Sequence, residues 1–254
     1  MLFFKRILKE PEPAASPVPF VERRSTKRYL VNPRFHLKAV LSFIGRDESG
    51  APMSNTRHGW SWKGRLIDCS ELGVRIQMGP TLRVEARDLC DLKLTVQDFE
   101  LTIPCFIANI RENSEGPVFG LKHHIEEEGT WHAYRQLLEV LALGSTLRLH
   151  SKTAEPDESG YKVEHYVSDR PARLTIWRHP QDNSVAAFEF QMKDSLVRAA
   201  EGYGMGYLTG EGEDARSART AKAQEIQRLF NWVVPNLALA VPEDVREFLQ
   251  RHAR

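Results

Sequence analysis

Two short clusters of functional side chains stand out in this 254-residue chain. One is Glu22-Arg23-Arg24-Ser25-Thr26-Lys27-Arg28; the other is Asp68-Cys69-Ser70-Glu71-Leu72-Gly73. A guanidinium is a flat fork of donors that suits phosphate oxygens or the acceptor edge of guanine, and it stacks on purine faces. Arg24 and Arg28 are four apart. In an ordered turn they point the same way; in an extended segment they wrap a ligand. Arg23 adds a third cation beside them. Asp68 and Ser70 are two apart, so on extended backbone both face one side and Cys69 faces the core. A carboxylate accepts from guanine N1–H and N2–H₂, a hydroxyl adds a donor or acceptor, and Gly73 permits a tight turn or a close approach of backbone to ligand. Each cluster alone has a plainer reading, a solvated basic run or a polar turn. Together they point to a pocket for a small, doubly charged ligand rather than a catalytic centre.

The elements that must position these groups are legible in outline. Residues 10–19, EPEPAASPVP, carry four prolines and no core pattern, so residues 1–19 read as an extended leader. From residue 30 the chain reads as short strands. Leu37, Val40, Leu41 and Phe43 open an apolar run. Val74, Ile76 and Met78 alternate with Arg75 and Gln77, and Leu92, Leu94 and Val96 with Lys93 and Thr95. Residues 46–60 are polar and turn-rich and form a hairpin loop or insertion; His58 and Trp60 within it, and Trp62 just beyond, fall near the site. Six or so strands ending at 118–123 argue for a small barrel or sandwich. Past residue 125 the period changes. Trp131, Tyr134, Leu138 and Leu141 predict a helix, with Thr130 as its cap and Gly144 as its stop. Strands resume at 147–149, 161–167, 172–177 and 184–192, a glycine-rich piece follows at 202–212, and helices close the chain over 215–233 and from Pro242.

The totals restrict the function classes. A hydrophobic content of 41% over this length supports two modest cores. The formal net charge is +1, without the basic excess or long stripe of a nucleic-acid binder. Three cysteines, Cys69, Cys90 and Cys105, have no metal-ligand spacing and read as reduced, buried thiols, which points to the cytoplasm. The opening MLFFKRILKE lacks the apolar run and cleavage site of a signal peptide, and no stretch approaches a membrane span.

The two clusters carry a resemblance. Arg24 and Arg28 match the arginine-x-x-x-arginine signature of PilZ domains, and Asp68, Ser70 and Gly73 match their aspartate/asparagine-x-serine-x-x-glycine signature. Gly64 is similar to the usual lead-in, and GPVFGLKH over 116–123 resembles the closing strand. Residues 20–123 resemble that family; residues 124–254 do not. The 39 residues between Arg28 and Asp68 exceed the family's separation, and the insertion at 46–60 accounts for the excess.

The resemblance implies a six-stranded antiparallel β-barrel receptor for cyclic di-GMP, followed here by an α+β region with C-terminal helices. Arg24 and Arg28 would be the clamp, Arg23 an auxiliary contact, Asp68 and Ser70 the polar contacts on the barrel, and Gly73 the turn. The ligand would bind singly or as a stacked pair. The expected function is an adaptor, not an enzyme. Ligand would draw the leader onto the barrel, change its arrangement relative to residues 124–254, and so regulate a protein partner of that second region. A ligand-free interaction module on a degenerate barrel is the alternative, ahead of a regulated enzyme. No metal is expected: His123-His124 before Glu126, Glu127 and Glu128 reads as a polar linker. The glycine-rich segment lacks the GK[ST] ending of a phosphate loop, and no GxSxG occurs.

Overall fold

The computed structural model describes residues 26–43, 61–80, 84–210 and 215–253. Arg23 and Arg24, with the leader, and His58 and Trp60, with the insertion, lie outside the described residues.

Seven strands come first: β1 (Tyr29–Leu30), β2 (Lys38–Phe43), β3 (Ser61–Ser70), β4 (Gly73–Gln77), β5 (Leu89–Val96), β6 (Phe99–Arg111) and β7 (Val118–His123). Six of them close a barrel in the order β3-β2-β5-β6-β7-β4, with β4 returning to β3 and every pair antiparallel. The alternation read from sequence is the cause. Leu41, Val74, Ile76, Leu92, Leu94 and Ile103 have no exposed surface, while the residues between them face outward or sideways. Strand β3 has two edges. Strand β4 runs along one over Arg65–Ser70; β2 takes the other at Ser61–Gly64, and short β1 takes the same edge farther on, opposite Asp68 and Cys69. The chain that follows the basic segment is thereby laid beside the second motif.

Helix α1 (Glu128–Ser145) crosses from this barrel to a second sheet. Tyr134, Leu137, Leu138, Leu141 and Ala142 sit in the barrel core, while Val140 and Leu143 sit in the second core. Each buried leucine contributes about 1.5–3 kcal/mol, so the helix is a structural part of both. It begins earlier than the sequence suggests. Glu127 is the cap residue, and Thr130 lies in the first turn, where its hydroxyl donates to the Glu127 carboxylate at 2.7 Å. Gly144 lies within the last turn rather than beyond it.

The second sheet is a meander of β8 (Arg148–Lys152), β9 (Lys162–Val167), β10 (Ala172–Arg178), β11 (Val185–Met192), β12 (Ser195–Ala200), β13 (Gly206–Thr209) and β14 (Arg216–Ser217), each paired with its neighbour in sequence. Helices α2 (Thr220–Val233) and α3 (Glu243–His252), joined by a 3-10 turn at Val234–Asn236, cover one face. Phe230 of α2 stacks on Phe188 of β11 with ring centroids 5.6 Å apart. Phe248 of α3 meets the same ring edge-on. An ion cluster around buried Arg178 and Glu164 fixes α3 to the sheet. Arg178 lies 3.1 Å from Glu164 and also pairs with Asp244; Lys152 stands 2.7 Å from Glu164, and the Tyr166 hydroxyl donates to it. Burial alone would raise the Glu164 carboxyl, but these partners outweigh it and hold it below its ordinary value. No helix among the described residues is long and apolar enough to cross a membrane.

Candidate ligand-binding site

The β3–β4 hairpin builds the second motif into the barrel wall. Its turn occupies Glu71 and Leu72, so Ser70 pairs with Gly73, Cys69 with Val74, and Asp68 with Arg75. Asp68 is 1% exposed. A carboxylate that deep is costly unless its charge is matched. Here one oxygen accepts from Arg28 Nη1 at 2.6 Å and the other from Arg75 Nε at 2.5 Å, with Arg75 Nη2 also in contact. Both arginine side chains keep about a third of their surface in water, at 28% and 34%. The trio therefore presents outward-facing guanidinium edges oriented from behind by a buried anion. Two guanidiniums and one carboxylate leave one positive charge at the surface.

The structure places the other motif residues differently from one another. Ser70 is buried, its hydroxyl donates to the Gly73 carbonyl at 3.0 Å, and its own carbonyl accepts from the Tyr134 hydroxyl at 2.8 Å. Gly73 lies against β7, where a β-carbon would stand 2.0 Å from the Leu121 carbonyl oxygen. Cys69 faces the core, and burial together with the Asp68 charge pushes its thiol well up. Arg28 and Asp68 are brought together; Ser70 and Gly73 hold the turn beneath them.

Arg75 is the site residue that sequence reading passed over. The signal existed: a two-residue turn at 71–72 puts position 75 opposite position 68. The base of the basic segment is also held from the far end of the chain. The buried Asn236 side chain accepts from the Asn32 backbone N–H at 2.7 Å and donates to the Leu30 and Leu141 carbonyls. The Asn32 side chain donates to the Leu237 carbonyl.

A family model described as PilZ domain matches residues 22–143. Just under half of the chain therefore matches the PilZ family. The matched span runs beyond the last barrel strand, in keeping with the packing of α1 into the barrel core. Among solved structures, the PilZ domain with c-di-GMP of YcgR from Escherichia coli is similar at 10% identity and a TM-score of 0.36, covering 47% of this chain and 92% of that one. A comparison with curated proteins finds no match. No cluster of three or more histidine, cysteine, aspartate or glutamate side chains suited to a metal occurs among the described residues.

His123 departs from its expectation as part of a polar linker. It ends β7, its backbone N–H donates to Leu72 in the motif turn, and its ring meets Tyr134 edge-on at 4.5 Å. Both ring nitrogens are buried without a hydrogen-bond partner, and burial pushes the imidazole down to about 4. Its folded value thus lies below the ordinary 6.5. Between those values the unfolded chain takes up a proton that the folded chain refuses, so stability is complete above the upper value and falls as pH drops toward the lower. At pH 4.5 this group alone is expected to cost about 2.5 kcal/mol. Urea unfolding of wild type and His123→Phe at pH 7 and pH 4.5 checks it: the variant should lose less stability on acidification by about that amount. An equal loss in both excludes His123 as the sensitive group.

Proposed function

We propose that this protein is a cytoplasmic receptor for cyclic di-GMP that works as an adaptor rather than an enzyme. Arg24 and Arg28 clamp the nucleotide, Arg23 assists, and Asp68 completes the site on the barrel, above the turn that Ser70 and Gly73 hold. Binding draws residues 1–19 toward the barrel of residues 20–123 and changes how residues 124–254 meet a protein partner. The observation that carries the reading is the Arg28–Asp68–Arg75 arrangement within a PilZ domain, since it holds guanidinium donors ready for an anion at the point where the basic segment joins the barrel. The root of that segment also contacts the second region through Asn236, which supplies a route from ligand to output.

Calorimetric titration of the full chain with cyclic di-GMP tests this. Micromolar or tighter binding is expected, and the stoichiometry separates one ligand from a stacked pair. No heat, together with no competition in a nucleotide-displacement assay, would reject the receptor and leave a ligand-free interaction module.

A further inference from the structure

One loop of the second sheet reaches the basic segment itself. Residues 168–171 join β9 to β10. Asp169 ion-pairs with Lys27, inside the basic segment, and Arg148 of β8 stands 3.4 Å from the same carboxylate. These cations, Lys27 foremost, hold the Asp169 carboxyl below its ordinary value. Arg170, the next residue, places its guanidinium carbon 5.8 Å from the Tyr29 ring centroid and donates through Nη2 to the Tyr29 hydroxyl at 2.9 Å. Tyr29 directly follows Arg28. Arg170 ion-pairs with Glu139 of α1 only at the outer limit, 4.0 Å away, and Glu139 is shared with Lys193 at 3.3 Å. Tyr29, which Arg170 touches, pairs with Cys69 of the second motif, and Glu71 in the motif turn is among the charges acting on Arg170, so the loop lies close to both motifs.

We propose that this loop reads the ligand directly: Arg170 contacts a phosphate of cyclic di-GMP held at Arg28, and Asp169 opposes binding by holding Lys27. The inference rests on the receptor reading above. Arg170 is already ordered by Tyr29, so little further freedom is lost when it engages a phosphate, and a guanidinium–phosphate contact is charge-assisted. Asp169 acts with the opposite sign. It repels the two phosphates and occupies a lysine that would otherwise face them. The ligand gains the Arg170 contact only while the second sheet keeps its place, so binding and inter-region arrangement are thermodynamically linked.

The sign difference makes the test decisive. Cyclic di-GMP affinity of the full chain is measured by calorimetry for wild type, Arg170→Gln, Arg170→Lys and Asp169→Asn, at low and moderate salt. Arg170→Gln is expected to weaken binding roughly tenfold and Arg170→Lys roughly threefold, because lysine keeps the charge without the fork. Asp169→Asn is expected to tighten binding roughly threefold to tenfold, with the gain shrinking as salt rises. Both substitutions break a contact between the regions, so a merely structural role would move them in the same direction. Wild-type binding with Arg170→Gln and Asp169→Asn unchanged, or shifted together, overturns the inference and leaves the receptor reading standing. Failure of the wild-type chain to bind overturns both.

Discussion

Gly73→Ala is expected to cost the N-terminal barrel about 4 kcal/mol or more, a loss reached only when something in the core must move. The reason is the seam between β4 and β7. A β-carbon at 73 would stand 2.0 Å from the Leu121 carbonyl oxygen and 3.1 Å from its carbonyl carbon, and backbone, unlike a flexible side-chain tip, cannot swing aside. Relief requires β7 to shift. That shift would pull Leu121 from its place opposite Val74 and Phe119 from opposite Ile76, all four of them buried. It would also disturb the Leu72 carbonyl that accepts from His123. Gly79→Ala is the control, because nothing lies within 4 Å of its added carbon; it should change stability by about 0.5 kcal/mol or less. Thermal unfolding should show Gly73→Ala melting roughly 10 °C below wild type and Gly79→Ala close to it. Equal melting of all three would mean that β4 and β7 can part at little cost, and that Gly73 serves some purpose other than this close approach.

How much of this was readable beforehand depends on how far apart the interacting residues lie. The barrel strands were legible because Val74, Ile76 and Met78, or Leu92, Leu94 and Val96, alternate cleanly with polar neighbours on a wall that has one wet side. Strand β12 was not. In Ser195–Ala200 both Leu196 and Val197 are buried, so the sequence SLVRAA shows no period of two. Strand β13 lay hidden in a segment read as a glycine-rich loop; its Gly206 sits against the Arg198 side chain of β12, a close approach that favours a small residue. The start of α1 was misplaced because Thr130 is the better intrinsic cap, yet the chain enters the helix earlier and uses Thr130 to bind the Glu127 carboxylate. At the site, Arg75 was reachable by counting across the two-residue turn. The burial of Asp68 was not, since it depends on Arg28 arriving from 40 residues away. The Lys27–Asp169 contact spans 142 residues and rests on how two sheets share one helix.

That buried carboxylate supplies the second large effect. Asp68→Ala is expected to weaken cyclic di-GMP binding about 100-fold and to lower stability by about 2 kcal/mol. Two terms oppose one another in the binding. Removing a negative charge behind the arginines favours an incoming phosphate, but at a separation near one Debye length this is worth only about 1 kcal/mol, less as salt rises. Against it, Arg28 and Arg75 lose the oxygens that aim them, repel each other and turn into water. Each then carries up to about 2 kcal/mol of side-chain freedom that binding must remove again. The orientation term wins, and its excess should grow with ionic strength as the compensating attraction is screened. The stability cost stays below the 3–5 kcal/mol of a fully buried broken pair because both arginines already reach solvent. Asp68→Asn keeps an acceptor without the charge and should fall between alanine and wild type. Titrations of the three chains at two salt concentrations check the ordering. Tighter binding by Asp68→Ala would show that the buried charge hinders the ligand rather than presenting the arginines to it.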